Sequence, residues 1–331
     1  MNSRSVNHPA VWRGQELLER SDWLHQLTVA ELQELQRLLS APGLHVADVA
    51  PELYTRLKGI QNTLENGCGA AMIRGMDVAN GTTEAWMECF ERIANVVGHP
   101  ISQSAKGERV FSVRDAGLAD NDPRARGPNT KKKLSFHTDR CDVIGFLCLQ
   151  QAKSGGENQL VSSPALFNEI GKRRPDLLDV LMQPFLYLRH SVDTANDLPY
   201  TEQPIFSFFE GHFAANFLRV LIERAHATAE LPDLTVEQRE ALDYLEAVAA
   251  EPEMHLTFRQ QPGDILFMNN WVTMHRRTAF EDYEELDRRR HILRVWLSMP
   301  NSRPLDPVFA GNYGATEAGA MRGGMRASST S

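Results

Sequence analysis

The chain has 331 residues, with 35 Lys and Arg against 43 Asp and Glu, a formal net charge of −8. That balance excludes a dedicated nucleic-acid binder, whose affinity comes largely from Lys and Arg neutralising phosphates. A composition of 42% apolar and 24% charged residues excludes a disordered chain, and nowhere do about 18 apolar residues run together as a membrane span requires.

Length alone allows about two domains of ~150 residues, or one large β-domain. The four cysteines, Cys68, Cys89, Cys141 and Cys148, are scattered without a C-x-x-C pair, which sets aside a zinc ribbon or a thioredoxin-like site. Few cysteines and a first segment without an apolar signal core lead to the expectation of a cytoplasmic protein.

In chain order, residues 28–40 predict an amphipathic helix. Thr28 and Glu31 form a capping box there, and Leu32, Leu35, Leu38 and Leu39 form one stripe. Gly67-Cys68-Gly69 followed by residues 71–75 reads as a turn into a short buried strand. Residues 84–97 return to helical spacing, with Trp86, Phe90, Ile93 and Val97 on one side and Gly98 as the stop. Residues 115–133 are polar, contain Gly127-Pro128-Asn129 and three lysines, and predict a mobile loop. From Leu134 onward short β-rich runs appear at 134–137, 143–150 and 159–162, then a Ser163-Pro164 helix start. Further β-like pieces lie at 185–190, 206–208, 254–258, 264–268 and 292–298. Between them Thr235 and Gln238 cap another helix. Strands interrupted by a helical insert suggest a barrel or a double-sheet jelly roll. The tail from Gly311 is rich in Gly, Ser, Thr and Met and is expected to fray.

Chemistry concentrates in three places. In Phe136-His137-Thr138-Asp139, strand alternation points His137 and Asp139 to one face, two thirds of a 2-His-1-carboxylate iron site. The same segment also fits a capped strand end, with Asp139 accepting a backbone N–H. Residues 262–270 run from a Pro-Gly-Asp turn through an apolar strand to a polar corner, and His275 follows. Residues 290–297 alternate so that Arg290, Ile292, Arg294 and Trp296 share one face, and His291, Leu293, Val295 and Leu297 the other. Pattern alone does not say which face is inside; a buried arginine fork would call for a carboxylate. The lysines at 131–133 read as a solvated loop, and Phe206, Phe208, Phe209 and Phe213 as core or pocket wall. Cys141 reads as a small apolar filler.

The order H-x-D, Gly155-Gly156, Gly263-Asp264, His275, then Arg290-x-x-x-Arg294 resembles the Fe(II)/2-oxoglutarate dioxygenases, within them the taurine dioxygenase (TauD/TfdA) and clavaminate synthase-like branch. Gly67-Cys68-Gly69 with Arg74-Gly75, Gly98-His99-Pro100 with Gln103, and His275-Arg276-Arg277 with Phe280-Glu281-Asp282 extend the resemblance over about residues 65–310. It implies a mainly β fold with α: a double-stranded β-helix (jelly-roll) core with flanking helices and a helical insert. Residues 1–64 would be an N-terminal helical extension, 65–310 the single catalytic domain and 311–331 a flexible tail.

By the same resemblance, His137, Asp139 and His275 would hold Fe(II), and Arg290 the far carboxylate of 2-oxoglutarate. Asn158 stands where relatives carry a Thr that helps bind that carboxylate. Arg294 would meet either the cosubstrate or an anionic group of the substrate, and Arg277, Arg219 and Phe213 are further substrate candidates. Because Asp139 is a carboxylate and not the small residue of halogenating relatives, the implied reaction is oxygenation. O2 and 2-oxoglutarate would become succinate and CO2 while a C–H bond of a small, anionic organic molecule is hydroxylated, or else desaturated, cyclised or cleaved. Relatives often form homo-oligomers. Two alternatives use the same residues: a Zn²⁺ hydrolase, since zinc accepts these ligands, and a non-catalytic jelly-roll acid sensor.

Overall fold

The structure is a computed structural model, described here over residues 5–104, 106–115, 117, 129–189 and 199–325. Strand β1 (Leu24–Gln26) leads into α1 (Val29–Ser40). The Thr28 hydroxyl accepts the Glu31 N–H at 3.2 Å and the Glu31 carboxylate accepts the Thr28 N–H at 2.8 Å, the reciprocal cap expected from sequence. After α2 (Val46–Val49) comes α3 (Pro51–Asn66), which buries Leu53, Leu57, Ile60 and Leu64. Then follow β2 (Ala70–Arg74), α4 (Thr83–Val97), β3 (His99–Ile101), β4 (Val110–Val113) and β5 (Val143–Gln150). Gly98 ends α4 by returning its N–H to the Ala94 carbonyl at 2.9 Å.

Strands β6 (Ser154–Gly155) and β7 (Asn158–Ser162) precede the helical insert. The insert contains α5 (Ser163–Arg173), α6 (Pro175–Leu181) and the hairpin of β8 (Phe185–Leu188) with β9 (Tyr200–Gln203). It continues with the hairpin of β10 (Phe206–Phe209) and β11 (His212–Ala215), then α7 (Arg219–His226) and α8 (Val236–Ala249). The chain returns through β12 (His255–Phe258), β13 (Ile265–Asn269), β14 (Thr273–Arg277), β15 (Phe280–Glu281), β16 (His291–Ser298) and α9 (Ala310–Tyr313).

Two sheets position the site. The larger has the order β1-β2-β13-β5-β16-β3, with β4 also on β16; the smaller is β12-β7-β14. Apart from the parallel β1–β2 pair, these pairings are antiparallel. The outer face of the larger sheet packs Phe267, Leu293, Val295 and Leu297 against Leu35, Leu57, Phe90 and Ile93 of α1, α3 and α4 in one apolar cluster. On β16 that settles the two faces: Leu293, Val295 and Leu297 meet the helices, while Ile292, Arg294 and Trp296 line the interior cavity. Sequence periodicity could not choose because both faces are buried.

Several expectations need correction. The described chain is mixed, with more residues in α-helix than in strand, rather than mainly β. Residues 1–64 are not purely helical, since β1 joins the larger sheet beside β2. Residues 134–137 are irregular apart from a single bridge at His137. The cap of α5 is Ser162, one residue before the predicted start, with its side chain accepting from Ala165 N–H at 3.1 Å. Residues 311–325 do not fray: Tyr313 and Met325 are buried and the Arg322 side chain is 0% exposed against Asp142. Composition suggested a loose tail because it carries no information on a buried ion pair with a residue far away in sequence. Residues 326–331 and most of the predicted mobile loop, 116 and 118–128, lie outside the described residues. No described helix is long and apolar enough to cross a membrane.

The Gly-Asp pair before β13 has a structural task. Asp264 accepts two hydrogen bonds from Arg74, at 3.0 and 2.8 Å, so two motifs far apart in sequence meet. Gly263 sits at φ +90°, and a Cβ there would lie 2.0 Å from the Met76 carbonyl. Gly263→Ala is therefore expected to destabilise the fold by roughly 2 kcal/mol or more, read as a lower midpoint in urea unfolding.

Candidate active site

Strand β14 brings His275 against His137. Their backbones exchange hydrogen bonds at 3.0 Å in both directions, so the imidazoles stand side by side with ring centroids 4.4 Å apart. Two residues on, the Asp139 N–H donates to the Asn270 side-chain oxygen at 2.9 Å. This turns the Asp139 carboxylate inward, with Oδ2 3.4 Å from His275 Nε2 and 3.9 Å from His137 Nε2. One ligand atom of each residue lies within 4.8 Å of the others, and among the described residues this is the one cluster of its kind.

The protonation states suit a metal. His137 Nδ1 lies 2.9 Å from the Ser135 carbonyl. A carbonyl only accepts, so Nδ1 is the donor in this contact and Nε2 is the ring nitrogen that faces Asp139. Burial and then the neighbouring His137 pull the His275 pKa down to about 3, which keeps that imidazole neutral. Two imidazoles and one carboxylate on one side of a cavity match the donor set of non-haem Fe(II) sites.

The cavity has a volume of about 550 Å³ and is lined from both sheets, by Phe146 and Trp296 of the larger and Asn158 and His275 of the smaller. Arg290 enters it just before β16. Its backbone N–H donates to Asp282 at 2.9 Å, its guanidinium lies 5.3 Å from the Phe280 ring centre, and its buried Nε has no hydrogen-bond partner among the described residues. Burial pushes its pKa down to about 10. Gly156 backs onto it: a Cβ there would lie in ordinary contact, 3.6 Å from Arg290 Nε, and it is the φ of +75° that calls for glycine. Arg277 lies 4.6 Å from the same Phe280 ring and donates to the carbonyls of Lys132 and Thr278. Burial and then Arg290 lower its pKa to about 9. Among the described residues neither arginine forms an ion pair within 4.0 Å. Two buried cations side by side, acted on by Asp282 but with no carboxylate in ion-pair contact among the described residues, make a site that favours an incoming anion.

Asn158, at the start of β7, donates to Gln260 Oε1 at 3.1 Å and also lines the cavity. Arg294 stands elsewhere. Its Nε donates to Gln103 at 2.6 Å, its terminal nitrogen lies 3.7 Å from Asp139 Oδ1, and Phe111 and Trp296 flank it at 5.3 and 5.0 Å. Of the remaining candidates, Arg219 lines the cavity mouth but already meets Glu223, Asp243 and Glu246 at 2.6–2.8 Å. Phe213 does not line the cavity; it packs edge-on against Phe167, Phe208 and a core cluster. Cys141 is a fully buried filler, as expected.

Sequence reasoning missed Asn270 as the holder of the Asp139 loop, and the buried Asp142–Arg322 pair beside it. An Asn directly after an apolar strand was a signal for the first; nothing in the spacing signals the second.

A further titration follows from His291 on the opposite face of β16. Its ring sits 2.6 Å from Ser112 Oγ and 2.5 Å from Arg114, and burial followed by Arg114 pulls its pKa to about 4. The unfolded chain takes up this proton near pH ~6.5 and the folded one only near 4, so stability is full above about pH 6.5 and declines as pH falls towards 4. Urea unfolding of the metal-free protein at several pH values should show that decline, and His291→Gln should flatten part of it.

The cluster of two histidines and a carboxylate in a cavity with buried arginines has the composition of a non-haem iron oxygenase site. Residues 31–296 match the family described as "Taurine catabolism dioxygenase TauD, TfdA family", and the chain belongs to that family. It is a 2-oxoglutarate-dependent dioxygenase that uses Fe(II) and O2. It is similar to "FR-33289 synthase" of Streptomyces rubellomurinus, 31% identical over 314 residues, which cover 91% of this chain and 92% of that one. Its fold is similar to that of asparagine oxygenase in complex with Fe(II), hydroxyasparagine and succinate, with a TM-score of 0.65 and 16% identity over 84% of this chain and 94% of that one. It is also similar to the non-heme iron oxygenase OrfP in complex with Fe and alpha-ketoglutaric acid, with a TM-score of 0.63 and 17% identity over 85% and 95%.

Proposed function

We propose that the two sheets form a double-stranded β-helix whose interior hydroxylates a small, anionic organic molecule. His137, Asp139 and His275 would hold Fe(II), Arg290 with Asn158 beside it would receive the far carboxylate of 2-oxoglutarate, and Arg294 an anionic group of the substrate. The observation that carries this reading is the buried Arg290 guanidinium, with Nε lacking an acceptor, in the same cavity as the three ligands.

Bound Fe(II) with 2-oxoglutarate supplies the O2-dependent oxidising power and releases succinate and CO2. The chain's own part is positioning. The His137–His275 bridge and Asn270 hold the donor atoms together before anything binds, and the Ser135 carbonyl fixes the His137 tautomer. Arg290 is buried beside the Phe280 ring, where an Arg290–carboxylate pair would be stronger than in water. Gln103 fixes the Arg294 guanidinium next to Asp139, so a substrate anion bound there would place its neighbouring carbon close to the ligand set.

A screen of small carboxylic, sulfonic and phosphonic acids for stimulated consumption of 2-oxoglutarate tests the substrate class. The expected result is stimulation by one acid class that Arg294→Gln weakens through KM. Stimulation by neutral compounds alone would contradict it.

A further inference from the structure

Residues 297–325 lie beyond the family match, yet the last of them pass beneath the ligand loop. Arg322, with a side chain 0% exposed, donates from Nε to Asp142 Oδ1 at 2.6 Å and from its backbone to Ser298 Oγ at 3.0 Å. Asp142 Oδ1 also accepts from Trp271 Nε1 at 2.7 Å and Oδ2 from the Met299 N–H at 2.8 Å. The Asp142 carbonyl accepts the Asn270 N–H at 2.9 Å. Asn270 in turn grips the Asp139 N–H, and its amide nitrogen donates to the Cys141 carbonyl at 3.1 Å. Arg322 is thereby linked through Asp142 and Asn270 to the ligand Asp139.

A second link runs through the backbone. The Gly324 N–H donates at 2.8 Å to the carbonyl of Arg140, the residue directly after Asp139, and the Met325 N–H donates to Ser102 at 2.9 Å. Gly323 and Gly324 have φ of +79° and +74°. A Cβ on Gly323 would lie 2.6 Å from the Arg140 carbonyl oxygen, and one on Gly324 2.9 Å from that of Ser102. Only glycines pass through this gap. The same path puts Tyr313 and Met325 into the cavity wall.

We propose that residues 313–325 are a positioning strap, in which Arg322 acting through Asp142 and Asn270, and Gly324 acting on Arg140, hold the Asp139 loop in ligand geometry. Metal binding and strap docking then stabilise each other, because coupling between two sites is reciprocal. This rests on Asp139 being a metal ligand.

The test uses the full chain with Co(II) and 2-oxoglutarate as probes. Hydrogen exchange of wild-type peptides within 317–324, which do not line the cavity, should slow about tenfold or more when both are bound. Unchanged exchange would overturn the strap. Arg322→Met should weaken Co(II) binding by about tenfold and alter the Co(II) d–d spectrum, with Arg322→Lys restoring part of both. A lower melting temperature with unchanged Co(II) affinity and spectrum would reduce Arg322 to a structural residue and overturn its assignment. If Arg322→Met does not fold, the wild-type exchange experiment decides. Asp139→Ala should lose Co(II) binding; if it binds Co(II) like the wild type, the ligand reading on which the strap's role rests fails, whereas loss of binding in this variant with unchanged exchange in the wild type overturns the strap alone.

Discussion

His137→Ala is expected to abolish substrate-dependent succinate formation, a loss on the order of a thousandfold or more. The metal's contribution to transition-state stabilisation is several kcal/mol, and each 1.36 kcal/mol is tenfold in rate. The substitution removes one of three donors whose atoms cluster within 4.8 Å. It should not unfold the protein, because the His137–His275 bridge is made by backbone N–H and carbonyl groups that alanine also carries. Succinate production, bound iron and melting temperature measured on the same sample separate these effects. Turnover that persists in the variant would remove His137 from the ligand set.

The second large effect is Arg290→Ala. Truncating one partner of a buried charged pair costs about 2–5 kcal/mol of binding, so 2-oxoglutarate affinity should fall by roughly thirtyfold to several thousandfold. Metal affinity without cosubstrate should change little, since Arg290 packs on Asp282, Phe280 and Cys148 and not on the three ligands. The cosubstrate-free protein should also lose no stability: Ala removes a buried charge that has no ion-pair partner among the described residues, and such a charge is a cost in the empty site. Titration of 2-oxoglutarate and of metal into wild type and variant checks both halves. A variant that loses metal first would exchange the roles of Arg290 and the ligand cluster.

Much of this site was legible in the sequence for a physical reason. H-x-D and the paired arginines are chemical requirements at short spacings, and the distal His follows an apolar strand, so they can be read locally. It is the backbone bridge between His137 and His275, not strand alternation, that brings the two histidines together. Helices α1, α4 and α8 were legible through stripes and caps that act locally. Helix α3 carries an equally regular stripe, Leu53, Leu57, Ile60 and Leu64, and could have been found by the same periodicity. What local pattern could not supply was partnership across the chain. Arg294 might have joined Arg290, but Gln103 at 2.6 Å turns it to Asp139 instead. Arg219 looked available until three carboxylates of the helical insert closed around it. Phe213 was as plausible for a pocket as for a core, and its neighbours Phe167, Phe206 and Phe208 decide for the core. The tail was misjudged for the same reason: Arg322 owes its place to Asp142, 180 positions away.

The central claim is that one cavity holds Fe(II) through His137, Asp139 and His275 and 2-oxoglutarate through Arg290. Its most direct test is anaerobic addition of Fe(II) and 2-oxoglutarate to the purified protein, followed by visible absorption. The account predicts a weak charge-transfer band that needs both additions, is lost in His137→Ala, and in Arg290→Ala returns only at much higher 2-oxoglutarate. A wild-type spectrum with no such band, at concentrations where both are bound, would contradict it.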